Sequence, residues 1–159
     1  MCVSLLLTEV LASRSVNVPL QTRDGLRLGA WLLLPPVAVE DPFAQGPSQD
    51  VISNSLTSRP TVLFFHGNAA TRAMHFRVQH CTTYAARFCV NVLAVDYRGF
   101  GDSEGHPSDP GLITDARAAW DWAINNGAKP DDLLVGLNLG TGVVSALGAE
   151  LAREGTFTA

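Results

Sequence analysis

Three short turns hold most of the residues of this chain that could do chemistry. They are His66-Gly67-Asn68-Ala69-Ala70, Asp96-Tyr97-Arg98-Gly99-Phe100-Gly101-Asp102-Ser103 and Gly136-Leu137-Asn138-Leu139-Gly140-Thr141-Gly142. Each follows a short apolar run, which places each at the end of a strand. Acyl transfer needs a side chain presented on a strained strand-to-helix turn, with small neighbours that let the turn form and the substrate approach. Gly136 and Gly140 meet that need. It also needs two backbone N–H groups converging on the developing oxyanion, and a helix starting near Leu139 adds the positive end of its dipole there.

The elements that must position these turns can be read in order. Residues 15–35 alternate in the strand manner, with Val16, Val18 and Leu20 on one face and a polar Thr22-Arg23-Asp24-Gly25 turn, and so predict a β-hairpin. Residues 35–60 carry Pro, Gly, Ser, Asn and Asp with almost no periodicity, which predicts a long surface loop, an insertion at 36–60. The runs 61–65, 90–95 and 133–135 read as strands. Residues 71–88, 112–125 and 141–152 read as helices, the second stopped by Asn126-Gly127. Strand and helix alternating three times predicts an α/β fold, with parallel strands joined by right-handed crossover helices and functional residues at the carboxyl ends of the strands.

Composition narrows the class. Of 159 residues 47% are apolar and 16% charged, with 14 Gly and 9 Pro and no period, as in one globular domain or part of one. A net charge of −4 offers no basic surface for phosphate backbones, so nucleic acid is not an expected partner. The mean hydropathy of +0.15, reached in short apolar runs, suits a buried parallel sheet. Cys2, Cys81 and Cys89 are too few and too irregular for a disulfide framework and read as reduced, buried thiols. No His or Cys pair has zinc-ligand spacing, and no cofactor is expected. The longest apolar run near the start, Val3 to Leu7, is far shorter than a membrane span and lacks a basic flank, so the chain reads as one that neither crosses a membrane nor is sent through one.

Together the three turns, in their order and spacing, resemble the α/β-hydrolase fold. Within that superfamily three segments look most like the membrane-associated lipases that hydrolyse monoacylglycerols and lysophosphatidylserine. They are the His-Gly-Asn-Ala-x-Thr-Arg start, the Asp-Gly-Leu-Arg-Leu-Gly-Ala-Trp hairpin and the Leu-Gly-Thr-Gly-Val end. The resemblance covers about residues 16–35 and 61–154. It implies a serine-hydrolase site for acyl esters, a lipid or acyl-ester ligand, and oxyanion donors at the N–H groups of Asn68 and Leu139. It also implies that His66 and Gly67 shape the first loop and that Gly136 and Gly140 shape the nucleophile turn.

The chain departs from the family at the nucleophile. Where the family places Ser, this chain has Asn138, whose amide has no hydroxyl to acylate, although Asn tolerates the positive φ of such a turn. The family's acid and His follow the nucleophile in sequence, yet the residues after Gly140 include no Asp or His. Glu150 and Glu154 there read as a solvated helix face, and His66, His75, His80 and His106 all precede the turn. Ser103 and Ser145 lie near motifs but not at the turn. Asp96 and Arg98 are expected to hold their own turn together as a local charge pair, and Trp31, Trp120 and Trp122 to pack helices on the sheet. A complete domain of this kind runs to about 200 to 250 residues. The chain therefore reads as the N-terminal half of one, inactive by itself, whose open sheet edge favours self-association. The alternatives are a pseudo-hydrolase that binds or regulates, and a truncated gene product without function.

Overall fold

The computed structural model describes residues 15–38, 46–132 and 139–155. Its chain begins with the predicted hairpin, β1 (Ser15–Gln21) and β2 (Arg27–Leu33), antiparallel with Val18 opposite Ala30. Thr22 closes the turn twice over. Its carbonyl accepts the Gly25 N–H at 3.0 Å and its Oγ1 accepts the Leu26 N–H at 2.9 Å.

Two further strands, β3 (Thr61–Phe65) and β4 (Asn91–Val95), complete a four-stranded sheet in the order β1-β2-β4-β3. β4 runs parallel to β3 and antiparallel to β2, so Phe65, Val95 and Ala30 stand level across the sheet. The residues that leave β3 and β4 at their carboxyl ends therefore emerge side by side, next to Gly29 of β2. Five consecutive buried residues in β4 are what a strand covered on both faces requires.

Helices cover the two faces unequally. Three pack on one face: α1 (Gln49–Ser58), α3 (Asp109–Asn125) and α4 (Leu139–Arg153). They bring Ile52, Leu56, Leu112, Ala116, Trp120, Val143 and Leu147 against Leu28, Leu32, Leu93 and Phe65. On the other face α2 (His75–Phe88) sets Cys81 and Ala85 against Phe64, Val92 and Ala94. Each fully buried Leu or Phe of these layers contributes about 1.5–3 kcal/mol. Trp120 is buried in the larger cluster, Trp122 packs against it, and Trp31 packs against the smaller one.

Where the chain departs from its local signals, a tertiary partner accounts for it. The predicted loop at 36–60 contains α1, capped by Ser48, whose Oγ accepts the Val51 N–H at 3.3 Å. Ser55 of α1 donates to Asn91 Oδ1 at 2.6 Å and accepts from its amide through the backbone at 3.1 Å, which anchors the helix to the start of β4. The helix read from residue 71 begins at His75, because Met74 before it is extended, at φ −61° and ψ 134°, and the preceding loop is tied down by the Arg72 N–H on Asp96 at 2.6 Å. α3 starts three residues before its predicted first residue, where Ser108 caps and Pro110 occupies the first turn, and it stops as read before Gly127, at φ +109°. The strand predicted at 133–135 lies outside the described residues, and α4 extends slightly beyond the predicted 141–152. Among the described residues no helix is long and apolar enough to cross a membrane.

Candidate functional site

The end of β3 is a single buried imidazole. His66 is fully buried; its Nδ1–H donates to the Gly67 carbonyl at 2.7 Å, and its ring meets Tyr97 and Phe100 edge-on at 4.8 and 5.3 Å. Its Nε2 stands 3.3 Å from Asp96 Oδ1, off the line of a hydrogen bond. A proton acceptor walled in on all sides cannot reach a substrate. Gly67 leads from it to Asn68, which is exposed, and the loop passes Ala70 at φ +58° before reaching Arg72.

Arg72 is the hub of the site. Its backbone N–H and its Nη1 both bond the Asp96 carboxylate, Nη1 also reaches Asp102 Oδ1 at 2.7 Å, and Nη2 reaches Asp102 Oδ2 at 3.2 Å. Its guanidinium lies 4.7 Å above the Trp31 ring. The Arg72 guanidinium beside Asp102 holds that carboxyl below the ordinary aspartate range. The first loop, the turn after β4 and the edge of β2 are thus joined through one cation. Space is made for it by Gly29, where a Cβ would fall 1.9 Å from Asp102 Oδ1, and by Gly101, at φ +57°, where a Cβ would fall 2.0 Å from Asp96 Oδ2.

The second turn is held by long-range partners. Asp96 and Arg98 do not pair as expected: Asp96 takes Arg72. Arg98 donates to Asp115 of α3 through its backbone N–H at 2.8 Å and Nε at 2.9 Å, and to Asp24 of the hairpin turn at 2.8 and 3.1 Å. The reason is geometric, since Asp96 faces the first loop whereas Arg98 faces α3. The Arg98 guanidinium draws Asp24 down to about 2, and burial pushes the Asp115 carboxyl up despite the same cation. Ser103 is a structural bridge, donating to the Asp96 carbonyl at 2.7 Å and accepting the Gly29 N–H at 3.0 Å.

The remaining predicted residues fall at the third turn. Gly136 and Asn138 lie outside the described residues, while Leu139 and Gly140 open α4. α4 packs on α3 and β3, so its first turn belongs to the same layered unit as the other two. Glu150 and Glu154 are not a merely solvated face. Arg117 of α3 donates to Glu150 at 3.2 Å and Glu154 at 2.8 Å, and Arg23 of the hairpin turn adds 3.3 Å to Glu150. Cys81 is buried as expected but Cys89 is exposed, at the left-handed residue that ends α2, and Cys2 lies outside the described residues. Among the described residues no cluster of His, Cys, Asp or Glu could hold a metal ion. The sequence reading missed Arg72 as a site residue and Asp115 altogether. For Arg72 the only local signal was its place in the His-Gly-Asn-Ala-x-Thr-Arg segment.

No family model matches this chain. It is 34% identical over 145 residues to the lysophosphatidylserine lipase ABHD12 of Xenopus tropicalis, covering 91% of this chain and 37% of the relative. To the Danio rerio ABHD12 it is 36% identical over 142 residues, covering 88% and 36%. To the human protein ABHD12B it is 33% identical over 148 residues, covering 92% and 40%. The chain thus spans well under half the length of these curated relatives. Among solved structures, an esterase of Pyrococcus furiosus matches with TM-score 0.62 and 21% identity, covering 90% of this chain and 47% of that one. Brefeldin A esterase, a bacterial homologue of human hormone sensitive lipase, matches with TM-score 0.66 and 20% identity, covering 98% and 40%. The shared architecture and the long alignment agree with the joined strand ends: the chain has an α/β-hydrolase fold and over most of its length resembles the lysophosphatidylserine lipases.

Proposed function

We propose that this chain forms the oxyanion-side half of a lipid-ester site of the lysophosphatidylserine-lipase kind. With Asn138 at the nucleophile position, the site holds an acyl ester without cleaving it. The observation that carries the reading is the double grip of Arg72 on Asp96 and Asp102, which fixes the loop bearing Asn68 against the neighbouring turn. A loop meant to place one backbone N–H at an ester carbonyl needs that rigidity, because an oxyanion donor acts only from a preset position. His66 and Gly67 shape that loop from beneath, and the N–H groups of Asn68 and Leu139 receive the carbonyl oxygen, with Gly136 and Gly140 leaving room for it. Asn138 has no hydroxyl, and loss of the nucleophile in a triad enzyme removes about six orders of magnitude in kcat.

The test uses the purified full chain. Lysophosphatidylserine is titrated while the fluorescence of its three tryptophans is followed, and fatty-acid release and labelling by a fluorophosphonate probe are measured alongside. Saturable quenching with release at the buffer rate and no labelled protein is the expected result. Labelling, or release above the buffer rate, overturns the inactive reading; a response no different from that to a detergent of equal chain length overturns the ester site.

A further inference from the structure

The helix α3 ends on a pair of residues that can react with each other. Of the seven Asn residues in the chain, Asn126 alone is followed by Gly. An Asn side-chain carbonyl carbon and the next backbone nitrogen can close a five-membered ring, and a glycine without Cβ leaves that nitrogen unhindered.

The fold needs both residues where they stand. Gly127 is left-handed, at φ +109°, and a Cβ there would fall 2.5 Å from Thr57 Oγ1 of α1. Its N–H donates to the Ile124 carbonyl at 3.0 Å and the Ala128 N–H to the Ala123 carbonyl at 3.0 Å, the paired bonds that close a helix on a left-handed residue. Ala123 and Ala128 are both buried in the larger core cluster. Asn126 is partly exposed, at φ −99° and ψ 8°, and turns its side chain back on the helix. Its Nδ2 donates to the Trp122 carbonyl at 2.8 Å, and its Oδ1 accepts from Gln49 of α1 at 3.4 Å. The cap of α3 therefore also seats α1.

We propose that Asn126 is a site of spontaneous covalent modification that this cap holds shut. In the folded chain both reacting groups are occupied: the Gly127 nitrogen keeps its proton on the Ile124 carbonyl, and the Asn126 amide is held to Trp122. When the last turn of α3 frays, the Gly127 nitrogen gives its proton to water and attacks Asn126 Cγ. A bond from that nitrogen to Cγ forms, closing a succinimide, and the Cγ–Nδ2 bond breaks, its nitrogen leaving as ammonia with a proton returned by water. A second water then opens the ring at one of its two carbonyls. The product is Asp at 126, or isoaspartate, in which the main chain runs through the side-chain carbon.

Neither product can rebuild the cap. A carboxylate has no N–H for the Trp122 carbonyl, and it sets a negative charge at the negative end of the helix dipole. Isoaspartate adds a methylene to the main chain just before Gly127, so the paired bonds lose register. The change is one-way, and it adds a negative charge to a chain that already carries −4. It also goes beyond the ester site. Ser55 of α1 bonds Asn91, the first residue of β4, so this corner lies where β4 begins, at the opposite end from the turns that follow β3 and β4.

The experiment keeps the purified full chain at physiological temperature and pH, with a parallel sample in urea, and digests both at intervals with a protease that cuts before Asp. The unmodified chain yields a peptide of residues 121–130, between the cuts at Asp121 and Asp131. Asp at 126 splits that peptide; isoaspartate leaves it whole, about 1 Da heavier and shifted in retention. Fragment spectra separate Asn126 from Asn125. The expected result is conversion at Asn126 ahead of every other Asn, about tenfold slower in the folded chain than in urea. Ala128→Gln, which draws the residue after Gly127 out of the core, should speed the folded rate about fivefold, and Gln49→Ala, which frees only the Asn126 side chain, about twofold, with the urea rate unchanged in both. Asn126→Asp should lower the melting temperature by about 3 °C. Equal rates with and without urea, a folded rate that neither variant raises, or conversion at other Asn residues while Asn126 stays intact overturns the proposal. An unchanged melting temperature in Asn126→Asp overturns the loosening of the cap. No ester enters these measurements, so they succeed or fail independently of the lipid-site reading.

Discussion

Arg72 closes on Asp96 twice, once with its backbone N–H at 2.6 Å and once with its guanidinium, and both side chains are almost wholly buried. Removing the cation leaves the Asp96 carboxylate buried without its counter-charge, beside an imidazole that cannot make a straight bond to it. Arg72→Met is expected to destabilise the fold by about 3–5 kcal/mol, the range for breaking one side of a buried pair. The paired change Arg72→Met/Asp96→Asn should recover part of that loss. Urea unfolding of wild type, both single variants and the double variant measures it, and additive losses in the double variant would deny the coupling.

Two glycines make room for the same cluster, and they should differ. At Gly29 an added methyl meets Asp102, whose side chain is 60% exposed and can swing into solvent. At Gly101 it meets Asp96, which cannot move, and the backbone there is left-handed at φ +57°. Gly29→Ala is expected to cost about 1 kcal/mol through the weakened Arg72–Asp102 pair. Gly101→Ala should cost about 3 kcal/mol or more, with about 1–2 kcal/mol of it from the backbone alone. Equal midpoints in thermal unfolding would contradict this ranking.

Acid should unfold the hairpin end of the site first. Arg98 holds Asp24 at about 2 in the folded state against 3.8 ordinarily, and Arg72 lowers Asp102 in the same direction. A carboxyl depressed on folding contributes stability that is present above its unfolded value and is lost as pH falls through its folded one. The loss attributable to Asp24 therefore falls between about pH 4 and pH 2. Asp24→Asn should flatten the stability curve in that window and leave the curve above pH 5 parallel to wild type, as read by urea midpoints across a pH series.

The two described thiols should separate under alkylation. Burial pushes the Cys81 thiol up to about 12, whereas Cys89 is exposed at the end of α2. Iodoacetamide at neutral pH is expected to modify Cys89 readily and Cys81 only in urea, since the thiolate is the reacting form. Peptide mapping by mass spectrometry reads each site separately. Modification of Cys81 in the native protein at a rate near that of Cys89 would mean that α2 opens from the sheet.

What the sequence determined by itself is local. The Thr22–Gly25 turn between alternating runs, the β-rich runs at 61–65 and 90–95, and the helix that Asn126-Gly127 stops are each written within a few residues of where they act. They appear in the structure with ends shifted by at most a few positions. The first two turns were legible as strand ends for the same reason, because a strand end followed by Gly constrains its own neighbours. Helix α1 was not legible: its buried face at Ile52, Ser55 and Leu56 has only two apolar side chains, and its anchor is Asn91, 36 positions away from Ser55. The start of α2 was misread because the Arg72 N–H draws the preceding loop to Asp96, 24 positions away, and Met74 stays extended before the helix.

Only the tertiary structure decided which charges meet. Asp96 and Arg98 stand two apart and look like partners, yet β4 ends at Val95 and the chain turns between them, so their side chains part. One is carried to Arg72, the other to Asp24 and Asp115, 74 and 17 positions away. Spacing along a chain reports helix faces and strand faces; it does not report which strands lie side by side. The order β1-β2-β4-β3 seats the turn after β4 between Gly29 of β2 and the loop from β3, and that placement lets the guanidinium from the loop bind both carboxylates and reach the Gly29 carbonyl.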